Sequence, residues 1–156
     1  MIAWRIATDA PAYAADDISG EGARITGGRW NSKGMAVLYA SSTIALTVLE
    51  TVVHLSSGGL PLNRQLVRID IPDDLWARRE EIDQEAAIPG WNALPAGTAS
   101  LGFGDGWLRA QRSAVLVVPS VIVPEERNIL VNPAHPDAKD ITARKVRKWT
   151  YDPRLF

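Results

Sequence analysis

The chain has 156 residues, 46% of them hydrophobic and 22% charged, a mix that fits one globular domain over 1–156 and not a disordered chain. A net charge of −1 gives no bulk attraction for nucleic acid, and no apolar run reaches the ~18 residues of a membrane span. Zero Cys excludes disulfides, thiolate zinc sites, iron–sulfur clusters and Cys nucleophiles together. The opening MIAWRIATDAP has no basic stretch followed by an apolar one, so no secretory signal is expected and a cytoplasmic location is the expectation.

Residues 1–6 (MIAWRI) read as a short strand, and the polar, Gly-rich stretch after them is not expected to form one regular element. MAVLYAS (35–41) is short, apolar and bounded by Gly34 and a Ser pair, which predicts a buried strand. A helix is expected from about Thr43 to Leu55, capped by Ser41 or Ser42 and stopped by SSGG at 56–59. RQLVRIDI (64–71) alternates Val67, Ile69 and Ile71 against Arg68 and Asp70, the pattern of a strand with one wet face. Residues 73–97 read as helical turns and loops. A helix is expected over 105–112, because Gly102, Gly104 and Gly106 weaken anything longer. AVLVVPS (114–120) predicts a buried strand, SVIVPEERNILVNP two short β segments about a turn at 124–127, and 141–150 is moderately β-like. Short strands with two helices and no regular βαβ alternation make an α+β fold.

Charge is unevenly placed. Asp70, Asp73, Asp74, Glu80, Glu81, Asp83 and Glu85 crowd one stretch, and Lys139, Arg144, Lys145, Arg147, Lys148 and Arg154 another. Two solvated surfaces explain both runs, and a basic tail that docks an acidic partner or a phosphate is the alternative.

The helix over 43–55 has an unusual polar arc. At ~100° per residue, Ile44, Ala45, Val48, Leu49, Val52, Val53 and Leu55 spread over a broad apolar side. The remainder holds Thr43, Thr47, Glu50, His54 and Ser57, one carboxylate among hydroxyls. Either Glu50 pairs with His54 on the surface, or this face looks into a cleft. In ITGGRWNSKG (25–34), Gly27 and Gly28 allow a tight turn and close approach to a ligand, and Arg29 brings a fork of donors suited to phosphate. The same residues also make an ordinary turn with an exposed Arg. Tyr39 fits a core position, Ser120 lacks the G-x-S-x-G elbow of a hydrolase nucleophile, and Asn132 before Pro133 reads as a turn. His54 and His135 are the only histidines and belong to no HExxH motif, so no metal is expected.

In order along the chain stand Arg5, GGRWN (27–31), VLYAS (37–41), the helix with LE at 49–50, GWL (106–108), VPS (118–120), N-x-x-x-NPxHP from Asn128 to Pro136, and YDPRLF. This set resembles the RES domain, a bacterial toxin family named for an Arg, a Glu and a Ser. The resemblance implies an ADP-ribosyltransferase-like fold, a mixed β core of short strands with flanking helices, that consumes NAD⁺. It implies loss of the nicotinamide–ribose bond to water or phosphate, with ADP-ribosylation of a protein as the alternative. An Xre-type helix-turn-helix antitoxin is the implied partner. Matched by motif, Arg29, Tyr39, Glu50 and Ser120 are the implied active-site residues, with Arg5 a further candidate for the dinucleotide. The chemistry of those residue types agrees: a carboxylate stabilises the positive charge that grows on ribose as nicotinamide leaves. Arg29 suits the pyrophosphate, Tyr39 can stack, and Ser120 can hydrogen-bond. A non-catalytic module that binds a partner through 139–154 is the reading of a different class.

Overall fold

The computed structural model describes residues 1–55, 62–83 and 88–155. Its strands are β1 (Ile2–Thr8), β2 (Leu38–Ser41), β3 (Arg64–Asp70), β4 (Glu80–Glu81), β5 (Val115–Pro119), β6 (Arg127–Val131) and β7 (Thr142–Trp149). They form one sheet in the order β4-β5-β6-β2-β1-β3-β7. Every neighbouring pair is antiparallel except β4 and β5. The helices are α1 (Glu21–Thr26), α2 (Ile44–Val52), α3 (Asp73–Ala77) and α4 (Thr98–Ala110). None is long and apolar enough to cross a membrane.

Strand alternation divides the core by face. Ala3, Leu38, Ala40, Val67, Ile69, Val115, Val117, Ile129 and Val131 point to one side. On the other side Leu116, Val118 and Leu130 pack with Trp30, Trp91, Trp107 and Leu108. Further along that side Ile6 and Leu66 meet Ile44, Val48 and Val52 of α2. Both faces of β5 are therefore covered, which explains why its residues are apolar without alternation. α2 departs from the broad apolar side expected of it, because Ala45, Leu49 and Val53 are exposed.

α4 begins seven residues before the expected start at 105 and contains all three glycines. Tertiary contact overrides propensity here: a Cβ on Gly104 would stand 1.8 Å from the Trp30 carbonyl oxygen. Glycine lets the helix lie directly on the backbone that carries Arg29. The next residue, Asp105, accepts from the Ser32 N–H at 2.9 Å and fastens the same turn. Trp30 in turn stacks on Trp91, with ring centroids 6.4 Å apart, so Trp91 is core. Trp76 is partly buried, with the Arg79 guanidinium 4.4 Å above its ring.

The segment 120–123 is not a strand. The Ser120 hydroxyl accepts from the Ile122 and Val123 N–H groups at 3.0 and 3.1 Å and folds the chain into a turn. α1 was not foreshadowed by its polar, Gly-rich sequence. The acids of 70–83 are largely tied to bases: Asp70 to Arg68, Asp74 to Arg78, Glu80 to Arg112 and Glu81 to Arg79. Arg144, Lys145, Arg147 and Lys148 of the basic run lie on β7, an edge strand of mostly exposed residues with a register shift opposite Leu66 and Val67. Lysine, arginine and a bulge are common guards of a free edge.

Candidate active site

α2 is positioned by hydroxyls. Thr43 caps it by accepting from the Leu46 N–H at 3.1 Å, and donates to Glu126 at 2.8 Å. One turn on, Thr47 donates to the Trp4 carbonyl at 3.0 Å and ties the helix to β1. Glu50 follows and reaches across to β5 and β6. Its Oε1 accepts from Ser120 Oγ at 2.8 Å and from Asn128 Nδ2. Ser120 is fully buried, at the end of β5. Asn128 stands opposite Ser41 in the β2–β6 register, and the Ser41 hydroxyl donates to Asn128 Oδ1 at 2.8 Å.

Tyr39 lies two residues before Ser41 on β2 and so shares its face. Its hydroxyl donates to Asn31 Oδ1 at 2.8 Å and accepts from the Trp30 N–H at 3.0 Å. Burial pushes the Tyr39 pKa well above its ordinary value, so the hydroxyl stays protonated. Gly28 makes this closeness possible, since a Cβ there would lie 2.7 Å from the Tyr39 oxygen. Asn31 is fully buried and its amide donates to the Ala23 and Met35 carbonyls, which holds the turn closed.

That turn presents Arg29. Its Nη1 donates to the carbonyls of Trp91 and Ala93, both at 2.8 Å. Burial lowers the Arg29 pKa from its ordinary value, and the neighbouring Glu50 carboxylate works against that shift. The guanidinium keeps its charge and stands within the field of Glu50.

The structure thus brings Arg29, Tyr39, Glu50 and Ser120 onto one side of the sheet. Arg5 is placed elsewhere. It shares a face with Ala3 and Ala7, opposite to Trp4 and Ile6, which pack towards α2. Burial lowers the Arg5 pKa, and the nearby groups that act on it are Tyr13 and Asp17. His54 is exposed in the turn after α2, and Ser57 lies outside the described residues. His135 Nδ1 accepts from the Asp137 N–H at 3.2 Å, and Asn132 Oδ1 accepts from Ala134 N–H at 3.1 Å, so NPAHP is a turn. Among the described residues no three His, Asp or Glu side chains group as metal ligands.

Sequence reasoning placed Asn128 only in a motif and Ser41 only as a candidate helix cap; Thr43 is the cap, and Ser41 instead holds Asn128. The signal available was two polar residues at positions of β2 and β6 that face the same side as Tyr39 and Leu130.

A carboxylate held by two neutral donors, a nearby guanidinium and a ring with its hydroxyl engaged can bind a polyanionic substrate and stabilise a cation. The RES domain family pattern matches residues 2–154. A Prs ADP-ribosylating toxin of Sphingobium sp. (strain YBL2) is 63% identical over 153 residues, 98% of this chain and 95% of that protein. A Toxin Res of Pseudomonas putida is 37% identical over the full length of both. A Toxin Res of Yersinia enterocolitica is 34% identical over 92% of this chain and 93% of its own. Among solved structures, the M. tuberculosis MbcT–MbcA toxin–antitoxin complex contains a chain that superposes with a TM-score of 0.66 at 14% identity, over 94% of this chain and 84% of that one. The mixed sheet is accordingly the ADP-ribosyltransferase-like fold of that toxin, and the chain belongs to the RES domain family of toxins.

Proposed function

We propose that this protein is the toxin of a toxin–antitoxin pair and that it cleaves the nicotinamide–ribose bond of NAD⁺. The observation that carries the proposal is the Glu50 carboxylate, fixed by Ser120 and Asn128 beside Arg29. Nicotinamide leaves with the bonding electron pair, and positive charge develops at the ribose C1′ carbon. Glu50 stabilises that charge while it accepts from the ribose hydroxyls, a preorganised interaction of the kind worth ~10²–10³ in rate. Arg29 holds the pyrophosphate with the donors it does not spend on Trp91 and Ala93. The Tyr39 hydroxyl is engaged, so Tyr39 offers its ring to the substrate. Ser120 spends its proton on Glu50 and acts by holding that carboxylate.

Water or phosphate then attacks C1′ and gives ADP-ribose or its phosphorylated form. A second reading, in which a protein side chain is the acceptor, is supported by the 63% identical relative named for ADP-ribosylation. An antitoxin partner is supported by the solved neighbour, a toxin in complex with its antitoxin. A helix-turn-helix protein of the Xre type is the partner proposed. The test is incubation of purified protein, free of antitoxin, with NAD⁺ in the presence and absence of phosphate, following nicotinamide release. Nicotinamide with free ADP-ribose or its phosphorylated form supports the first reading. Label from NAD⁺ entering macromolecules of an added lysate, with little free ADP-ribose, supports the second. No release from folded purified protein overturns the first reading, and no label in lysate macromolecules overturns the second.

A further inference from the structure

Glu50 has two carboxylate oxygens, and the two side chains that reach it end on the same one. Ser120 Oγ and Asn128 Nδ2 both donate to Oε1. Among the described residues nothing is hydrogen-bonded to Oε2. We propose that Asn128 is the positioning residue that turns Glu50 so that Oε2 meets the substrate, and that Ser41 orients Asn128 for the task. The proposal rests on the reading of Glu50 as the group that stabilises the ribosyl cation.

An Asn amide can be placed either way round, and only one way suits a carboxylate. The Ser41 hydroxyl donates to Oδ1, which leaves the NH₂ end facing Glu50. The Ser120 hydroxyl is similarly constrained. Its oxygen accepts from two backbone N–H groups, so its one proton points to Glu50. Two neutral donors therefore clamp one oxygen without cancelling the charge of the group. A lysine or arginine at 128 would hold Glu50 as firmly and neutralise the charge that the transition state needs. Asn128 gains its own rigidity from its place in β6, paired with both β2 and β5.

The experiment measures nicotinamide release against NAD⁺ concentration and pH for wild type, Asn128→Ala, Asn128→Asp and Ser41→Ala, with a thermal melt of each. Asn128→Ala is expected to lower kcat by roughly 10–100-fold, the scale of a misplaced catalytic group. Its KM should stay within about twofold, because Asn128 is held away from the dinucleotide by Glu50. Ser41→Ala should show the same split more weakly. Asn128→Asp places two carboxylates together that must share a proton, so the acid limb of its kcat profile should move to higher pH than in wild type. An unchanged kcat in folded Asn128→Ala, or a raised KM alone, overturns the positioning role. So does an unmoved pH profile in Asn128→Asp, or loss of the fold in all three variants. Absence of nicotinamide release by wild type is a separate outcome, which overturns the reading of Glu50 and the positioning role with it.

Discussion

Arg29 and Trp91 hold each other across 62 residues of sequence: the guanidinium donates to the Trp91 carbonyl while Trp91 stacks on Trp30, the next residue along from Arg29. The arginine is thus preorganised by the wall it leans on. Arg29→Ala should raise the KM for NAD⁺ by about 10–100-fold, since hydrogen bonds to charged groups contribute ~1.5–3 kcal/mol. Arg29→Lys should rescue little of this, because an ammonium cannot bond two carbonyls and a pyrophosphate from one plane. Steady-state kinetics of the two variants are the check, and an unchanged KM removes Arg29 from the pyrophosphate.

Glu50→Gln keeps the shape of the side chain and removes its charge. We expect turnover to fall by ~10²–10³ with the melting temperature close to that of wild type. Nicotinamide release measured beside a thermal melt separates the two effects. A variant that keeps full rate would rule out the electrostatic role.

Gly104 is expected to accept no side chain. Its Cβ would collide with the Trp30 backbone, and backbone yields less readily than a flexible side chain. Gly104→Ala should destabilise the protein by about 1–3 kcal/mol, the range of core overpacking, in spite of alanine's better helix propensity. Gly106 meets nothing within 4 Å, so Gly106→Ala should stabilise or leave stability unchanged. Urea denaturation of the pair decides it, and equal stabilities would contradict the packing described.

Tyr39→Phe leaves the Trp30 N–H and Asn31 Oδ1 without their partner, at a cost of about 1–3 kcal/mol near neutral pH. The pH dependence follows from the raised pKa. In the unfolded chain Tyr39 ionises near its ordinary value of 10.0, while in the folded protein burial holds the proton on. Its contribution is complete below pH 10 and declines as pH rises beyond it, because the unfolded state alone releases the proton. The stability difference between wild type and Tyr39→Phe should therefore narrow above pH 10. Denaturant titrations at pH 8 and above pH 10 test this.

Most strands were legible because burial leaves a strong mark. β3 alternates, β5 is apolar throughout, and each pattern matches the faces it covers. α4 was less so, since three glycines lower helix propensity and the contact that makes Gly104 favourable comes from a loop some 70 residues away. The apolar letters of 120–123 suggested a strand, and one hydroxyl accepting from two N–H groups makes a turn instead. Of the site, Arg29, Tyr39, Glu50 and Ser120 were named from motifs and lie on one side of the sheet. Arg5 lies on the other, a matter of strand parity in an all-apolar neighbourhood that gives no wet face to count from. Asn128 stood in a motif without an assigned role, because that role exists only through register with Ser41, and register is a property of paired strands.

The donors that complete Glu50 come 70 and 78 residues after it in the chain. During synthesis at roughly 5–20 residues per second, α2 leaves the ribosome roughly 4–16 s before Asn128 does. A chain cut short in that interval bears the carboxylate with neither group that aims it. Under the proposed activity, abortive translation products that end before β6 are harmless to the cell that makes them, and NAD⁺ comes under attack only once β6 has joined the sheet.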